Sequence, residues 1–132
     1  MRRFNGELST AHGLTLNDYE VLLHLAQAPD RMMRRVDLAK SVLLTPSGIT
    51  RLLEGLERAG FVGRASCPSD ARVTYALLTD EGYRKLREAS STHVEGIRSH
   101  FAERFSPEEL ETLADLLSRL PLEGTDVGDC AA

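Results

Sequence analysis

The feature that most constrains the fold is a helical pattern between residues 45 and 60 that is followed at once by two strand-like runs. Thr45 can cap this helix, Pro46 occupies the first helical position, where its missing N–H costs nothing, and Gly60 can end it. The runs 61–66 and 72–78 are rich in Val, Thr, Tyr and Leu, and the segment between them has turn composition. We therefore predict a β-hairpin placed directly after a helix.

A shorter helix is predicted just before this one, over about 36–42, with Val36, Ala39 and Leu43 on one side. Helix, short turn, helix and hairpin is the order of a winged helix-turn-helix. In that arrangement the second helix can lie in the major groove of DNA, where the base edges differ among all four base pairs. The pattern over about 34–87 therefore predicts binding to double-stranded DNA.

The second helix has an apolar stripe and a polar side. The stripe that we expect to be buried consists of Ile49, Leu52, Leu53 and Leu56. The polar side offers hydroxyl groups for phosphates or base edges and an arginine for guanine or the backbone. Its candidate contact residues are Thr45, Ser47, Gly48, Thr50 and Arg51. On the hairpin, Arg72 is offered to an adjacent minor groove.

Helical spacing and capping signals predict four further helices. They cover about 1–12, 15–28, 79–104 and 106–120. Thr15 with Asp18, and Ser106 with Glu109, have the spacing of capping boxes. The expected fold class is therefore mainly α with a small β-hairpin wing, a winged helix-turn-helix with additional terminal helices.

The distribution of charge supports a nucleic-acid partner although the net charge is −4. Residues 31–87 contain eleven basic and six acidic residues, a net charge of +5, whereas the rest of the chain carries −9. A basic middle segment between acidic ends suggests that the middle segment carries a surface that faces DNA and that the acidic ends lie away from it.

Several other classes of protein are not expected. No continuous apolar stretch follows the charged residues at the start of the chain, so we expect no secretory signal. The apolar runs elsewhere are too short to span a bilayer, so we expect no membrane association and a cytoplasmic location. Cys67 and Cys130 make no CxxC pair and no disulfide framework. Because no catalytic triad, carboxylate pair or glycine-rich phosphate loop has a convincing spacing, we expect neither an enzyme nor a cofactor.

Two stretches carry a resemblance to a known family. Residues 43–64 read LLTPSGITRLLEGLERAGFVGR, and residues 69–82 read SDARVTYALLTDEG. They resemble the recognition helix, wing and following helix of MarR-type regulators, and the similarity extends over about 13–120 in the same order. In that family the arginine of an Asp-x-Arg motif in the wing lies at DNA, and here the motif is Asp70-Ala71-Arg72.

The resemblance implies a homodimer that binds a pseudo-palindromic operator, in most cases as a repressor. It implies a DNA-binding lobe over 15–87, a helical dimerisation region over 1–14 and 88–122, and a flexible tail over 123–132. It also implies relief by a small aromatic or phenolic effector, in a crevice lined by about 12–19 and the start of the long helix. Family members usually have a longer first helix and a basic residue where Ala71 stands.

Simpler interpretations remain open for individual residues. The leucines of the final helix can serve in ordinary core packing, and Arg51 can be solvated or paired with Glu54. Asp70 is expected to brace the wing or Arg72. His93 and His100 lie on one helix face, but surface histidines are commoner than metal ligands, and no metal is expected.

Three further interpretations remain open. An exposed Cys67 could be oxidised, although a dedicated redox switch is not the favoured interpretation. Gly48 is interpreted as permitting a close approach to DNA. As a whole, the chain could also be a winged-helix module for protein interaction that has lost DNA binding.

Overall fold

The computed structural model describes residues 2–121 and contains, within that part, six α-helices and one three-stranded sheet. The helices are α1 (Arg2–His12), α2 (Leu16–Gln27), α3 (Arg35–Ser41), α4 (Pro46–Arg58), α5 (Asp80–Ala102) and α6 (Pro107–Leu117). The strands are β1 (Met32–Arg34), β2 (Val62–Cys67) and β3 (Asp70–Leu78), and a 3₁₀ turn covers Pro29–Arg31. The predicted fold class, mainly α with a β-hairpin wing, is confirmed. Tail residues 123–132 and Cys130 lie outside the described residues.

The sheet has one strand more than the sequence predicted. β3 is central, and both β1 and β2 pair with it in antiparallel orientation, with Met33 opposite Ala76 and Val62 opposite Leu78. β1 has only three residues, too few to show an alternating pattern. Its strand geometry depends on the hydrogen bonds that β3 supplies, so sequence reasoning missed it.

The turn of the wing is shorter than predicted. The predicted turn covered 67–71, whereas β2 continues to Cys67 and β3 begins at Asp70. Cys67 lies opposite Asp70 after a shift in register at Ser66. Pairing across the hairpin therefore includes residues whose composition is that of a turn.

The helix ends follow their sequence signals closely. The Thr15 hydroxyl accepts from the Asp18 amide at 3.1 Å and the Asp18 carboxylate accepts from the Thr15 amide at 2.9 Å. Ser106 and Glu109 form the same reciprocal pair at 3.2 and 2.9 Å. Gly60, with a φ of +83°, ends α4 in the left-handed region that a glycine adopts without strain.

One hydrophobic core joins the helices to the sheet. The predicted stripe of α4 is confirmed for Ile49, Leu53 and Leu56, which are buried, while Leu52 is half-buried and packs against the same core. Leu8 of α1 and Ala89 of α5 are fully buried in this cluster. α1 and α5 therefore share one core with α4. No helix within 2–121 combines the length and apolarity that crossing a membrane requires.

The joint between the wing and α5 is tightly packed. The Thr79 hydroxyl donates to the Gly60 carbonyl at 2.7 Å and accepts from the Gly82 amide at 3.0 Å. A Cβ on Gly82 would collide with the Phe61 carbonyl oxygen and would lie 2.7 Å from Cδ1 of Leu78. The first turn of α5 therefore lies against the backbone that leads into β2.

We expect Gly82→Ala to lower the free energy of unfolding by about 1–3 kcal/mol, because the backbone of Phe61 cannot give way as a flexible side chain can. Gly55→Ala is the matched control. A Cβ at Gly55 meets nothing within 4 Å, so alanine should stabilise α4 by up to about 1 kcal/mol. Urea unfolding of both variants checks this, and equal effects would contradict the account of the joint.

Candidate nucleic-acid interface

The outer face of α4 presents the side chains that the sequence singled out. Burial of the apolar stripe leaves Ser47, Arg51 and Arg58 exposed on the opposite side. Within residues 2–121, no hydrogen bond or ion pair engages the Arg51 guanidinium, including none with Glu54, its predicted alternative partner. Arg51 is thus a charged donor that the fold leaves available.

The start of α4 explains Gly48 in a second way. The Thr45 hydroxyl accepts from the Gly48 amide at 3.1 Å and lies 3.3 Å from the Ser47 hydroxyl. A Cβ on Gly48 would lie only 3.1 Å from that same Thr45 oxygen. A larger residue would therefore press on the helix cap, so the glycine has a local reason that does not require DNA.

Thr50 is less available than Arg51. Its hydroxyl donates to the Pro46 carbonyl at 2.9 Å, and the residue is half-buried. Because the hydroxyl proton is already used within the helix, Thr50 offers an acceptor oxygen rather than a donor. It can therefore accept from a base amino group, but it is poorly suited to donate to a phosphate.

In the wing, the Asp70 carboxylate holds the side chain of Arg72. The Arg72 Nε and Nη2 atoms donate to Asp70 at 3.1 and 3.3 Å, and the Arg72 amide donates to the same carboxylate at 3.0 Å. The hydrogen bonds from the Arg72 side chain, and then from its backbone, lower the pKa of Asp70 below its usual value. The Arg72 side chain nevertheless remains 91% exposed. Asp70 therefore braces Arg72, as the sequence analysis expected.

A second ion pair, which sequence reasoning missed, connects α4 to the base of the wing. The Nε atom of Arg64 in β2 donates to both carboxylate oxygens of Glu57 in α4, at 2.9 and 3.1 Å. This hydrogen bond, together with the charge of Glu57, raises the pKa of Arg64. The two residues meet only because the chain reverses at Gly60, a geometry that helical spacing does not reveal.

α3 lies between α4 and the wing. Arg35, Val36 and Lys40 line a cavity of about 220 Å³ that reaches Ile49 and Thr50 of α4. The same three residues line a second cavity, of about 450 Å³, that reaches the start of β3. The grooves on the two sides of α3 therefore connect the candidate residues of α4 with those of the wing.

The histidines on α5 take part in ring packing. The rings of His93 and His100 lie 5.6 and 5.5 Å from that of Phe4, and His93 lies 4.7 Å from Tyr19. His12 lies 2.8 Å from the Thr92 hydroxyl. These contacts join α1 and α2 to the second half of α5, whereas the effector crevice was predicted along 12–19 and the start of that helix. There Tyr19 is only 4% exposed.

Cys67 differs from its expected setting. It was interpreted as an exposed thiol in a turn, but it ends β2 and is only 5% exposed. Its Sγ atom lies 3.2 Å from the Ser69 hydroxyl. The strand thus continues to a residue that the turn composition placed in the turn, and this residue is buried rather than exposed.

Removing the wing arginine should raise the pKa of Asp70 towards its ordinary value, because that arginine supplies the hydrogen bonds that stabilise the carboxylate. The Asp70–Arg72 pair forms above the lowered pKa and is lost as the pH falls through it. Carboxyl ¹³C NMR titration of Arg72→Ala measures the change. Arg51→Ala is the control and should leave Asp70 unchanged; an unchanged pKa in both variants would contradict the bracing role.

Comparison with known proteins places this geometry in a family. The MarR family model matches residues 12–73. The chain is 36% identical over 112 residues to the transcriptional repressor YetL of Bacillus subtilis, a match that covers 82% of this chain and 66% of YetL. The chain thus spans slightly less than two thirds of that relative's length.

Two solved structures from Streptomyces coelicolor resemble this one closely. Sco3205, a MarR family transcriptional regulator in complex with DNA, is 34% identical with a TM-score of 0.79, over 89% of this chain and 73% of that one. AbsC, also a MarR family transcriptional regulator, is 34% identical with a TM-score of 0.77, over 88% and 78% of the two chains. With this fold, wing and sequence identity, the chain belongs to the MarR family.

Proposed function

We propose that this protein is a sequence-specific DNA-binding transcriptional regulator that acts as a homodimeric repressor. The observation that carries the proposal is a pair of arginines on neighbouring projections: Arg51, unpaired on the outer face of α4, and Arg72, held by Asp70 yet 91% exposed on the wing. Both are suited to bind an external anion: no hydrogen bond or ion pair within residues 2–121 engages Arg51, and Asp70 orients Arg72 without covering it.

In the proposed complex, α4 enters the major groove from its N-terminal end. Arg51 then donates to guanine or to the backbone, Ser47 contacts base edges or phosphates, and Thr50 accepts from a base amino group. Thr45 and Gly48 hold the first turn of α4 close to the DNA. Arg72 enters the adjacent minor groove, where a narrow A·T tract concentrates negative potential. MarR family membership supports this arrangement, as does the complex of Sco3205 with DNA.

Arg51→Ala and Arg72→Ala should each weaken binding to the operator by about 1–3 kcal/mol, or roughly 5- to 150-fold, because each removes a charged contact. Fluorescence anisotropy with a duplex from the region upstream of the protein's own gene measures the affinity. Arg87→Ala, which removes an exposed arginine from α5, is the matched control and should bind nearly as the unmodified protein does.

The rival function, a protein-interaction module without DNA binding, makes the opposite prediction. It expects little dependence of duplex binding on salt and no difference among the three variants. A DNA-binding protein instead loses affinity steeply as salt rises, since bound cationic side chains release counterions from the duplex. The absence of a specific complex at moderate salt would therefore favour the rival.

The proposal of a dimer rests on the last two helices. No residue of α6 is buried, although the helix carries leucines at helical spacing. The exposed large apolar residues at this end of the molecule are Phe101, Phe105, Leu116, Leu117 and Leu120. An isolated helix of 11 residues is marginal in water, so α6 needs a surface to cover its apolar face. A second copy of the chain supplies such a surface across a two-fold axis.

Leu116→Glu should shift the protein towards the monomer, because it places a charge in the middle of the apolar face of α6. Ser118→Glu introduces the same charge at the exposed residue that follows α6, away from its apolar face, and should leave the dimer intact. Sedimentation velocity over a range of protein concentrations measures both. If Leu116→Glu sediments as the unmodified dimer does, α6 is not part of the interface.

We also propose that a small aromatic or phenolic effector releases the protein from DNA. The support is the meeting of α1, α2 and α5 around His12, Tyr19 and His93, where a change in packing would alter the position of α5. The effector need only bind better to a dimer whose recognition helices have the wrong spacing for the operator.

A further inference from the structure

Basic side chains predominate among the charged residues that line the groove between α3 and the wing. It has a volume of about 450 Å³ and is lined by Arg34, Arg35, Val36, Asp37, Lys40, Arg72, Val73 and Thr74. Four of these eight residues are basic and one is acidic. The groove begins at the wing arginine and extends along the side of α3, so it is continuous with the proposed DNA-binding surface.

Two of the four cations are already paired within the protein. Arg34 donates to Asp37 at 3.1 Å across one turn of α3, and Arg72 is held by Asp70. Within residues 2–121, no hydrogen bond or ion pair holds Lys40 or the guanidinium of Arg35. The groove therefore keeps two positive charges that no carboxylate of the described chain neutralises.

The guanidinium of Arg35 is partly enclosed. Its Nη2 atom is buried and has no hydrogen-bond partner. Burial of one donor holds the charged group against the wall of the groove, and its positive charge stays uncompensated there. An uncompensated charge in a partly enclosed place is costly, and an anion in the groove would remove much of that cost.

We propose that this groove receives a phosphate of the DNA backbone, held by Arg35 and Lys40, next to the minor groove that Arg72 enters. The inference rests on the proposed function and adds two residues to it. Phosphates line both edges of a minor groove that is only about 6 Å wide, so an arginine inserted there has backbone anions on either side. Val36, which is 65% exposed at the same groove, offers an apolar surface to the adjoining deoxyribose.

The role of this contact differs from that of α4. A phosphate contact positions the protein on the duplex and carries no base information. Arg35 and Lys40 should therefore set the overall affinity and the register of the wing. Discrimination between operator and other sequences should depend on Arg51 instead.

The test measures affinity against salt concentration for an operator duplex and for a random duplex of equal length. Each phosphate contact contributes about 0.9 to the slope of log K against log salt. Arg35→Gln and Lys40→Gln should each lower the slope by about that amount and weaken binding to both duplexes by the same factor. Arg87→Gln removes a charge outside the groove and should leave the slope unchanged.

The possible results separate the two proposals. An unchanged slope in both groove variants, with Arg51→Ala still impairing operator binding, overturns the phosphate site alone. A complete lack of salt-dependent duplex binding by the unmodified protein overturns the proposed function, and the phosphate site with it. Inorganic phosphate tests whether the occupant is a free anion. If phosphate raises the melting temperature of the unmodified protein but not of Arg35→Gln, and the salt slopes of both groove variants equal that of the unmodified protein, the groove holds a free anion. That result refutes the DNA contact.

Discussion

Burial of the apolar stripe of α4 is the constraint on which the remaining structure depends. With Leu53 fully buried and Ile49 and Leu56 nearly so, the rotation of the helix about its axis is determined. The same rotation brings Arg51 to the outside and presents the capped N-terminus at the surface. Loss of a buried leucine would cost about 2–5 kcal/mol, far more than any preference of the polar side could restore.

The wing is held to this helix by short-range polar contacts. Glu57 joins α4 to Arg64 in β2, and Thr79 joins the end of β3 to the Gly60 carbonyl that closes α4. Gly82 then lets α5 lie directly against Phe61. α4, the wing and α5 therefore meet within a few residues, so a shift of α5 would act on both of the projections that we propose contact DNA. In the proposed function, this connection would couple α5 to DNA binding.

Local signals in the sequence predicted much of the fold. Capping pairs such as Thr15 with Asp18 involve atoms only three residues apart, so their geometry is set by the helix itself. The same holds for the Asp70–Arg72 brace, whose partners are separated by one residue. By contrast, β1 escaped prediction because a strand of three residues exists only through its pairing with β3. Cys67 was placed in the turn because its neighbours have turn composition, whereas pairing with β3 extends β2 as far as this residue.

The sequence by itself determined the order of the elements, the caps and the polar side of α4, because each depends on residues within about one helical turn or one hairpin. Only the tertiary structure decided which charges remain uncompensated. Arg64 is paired by a residue on another element, whereas Arg35 and Lys40 have no such partner in the described chain. Electrostatic pairing depends on distance in space, and the packing of α3 between α4 and β3 sets those distances.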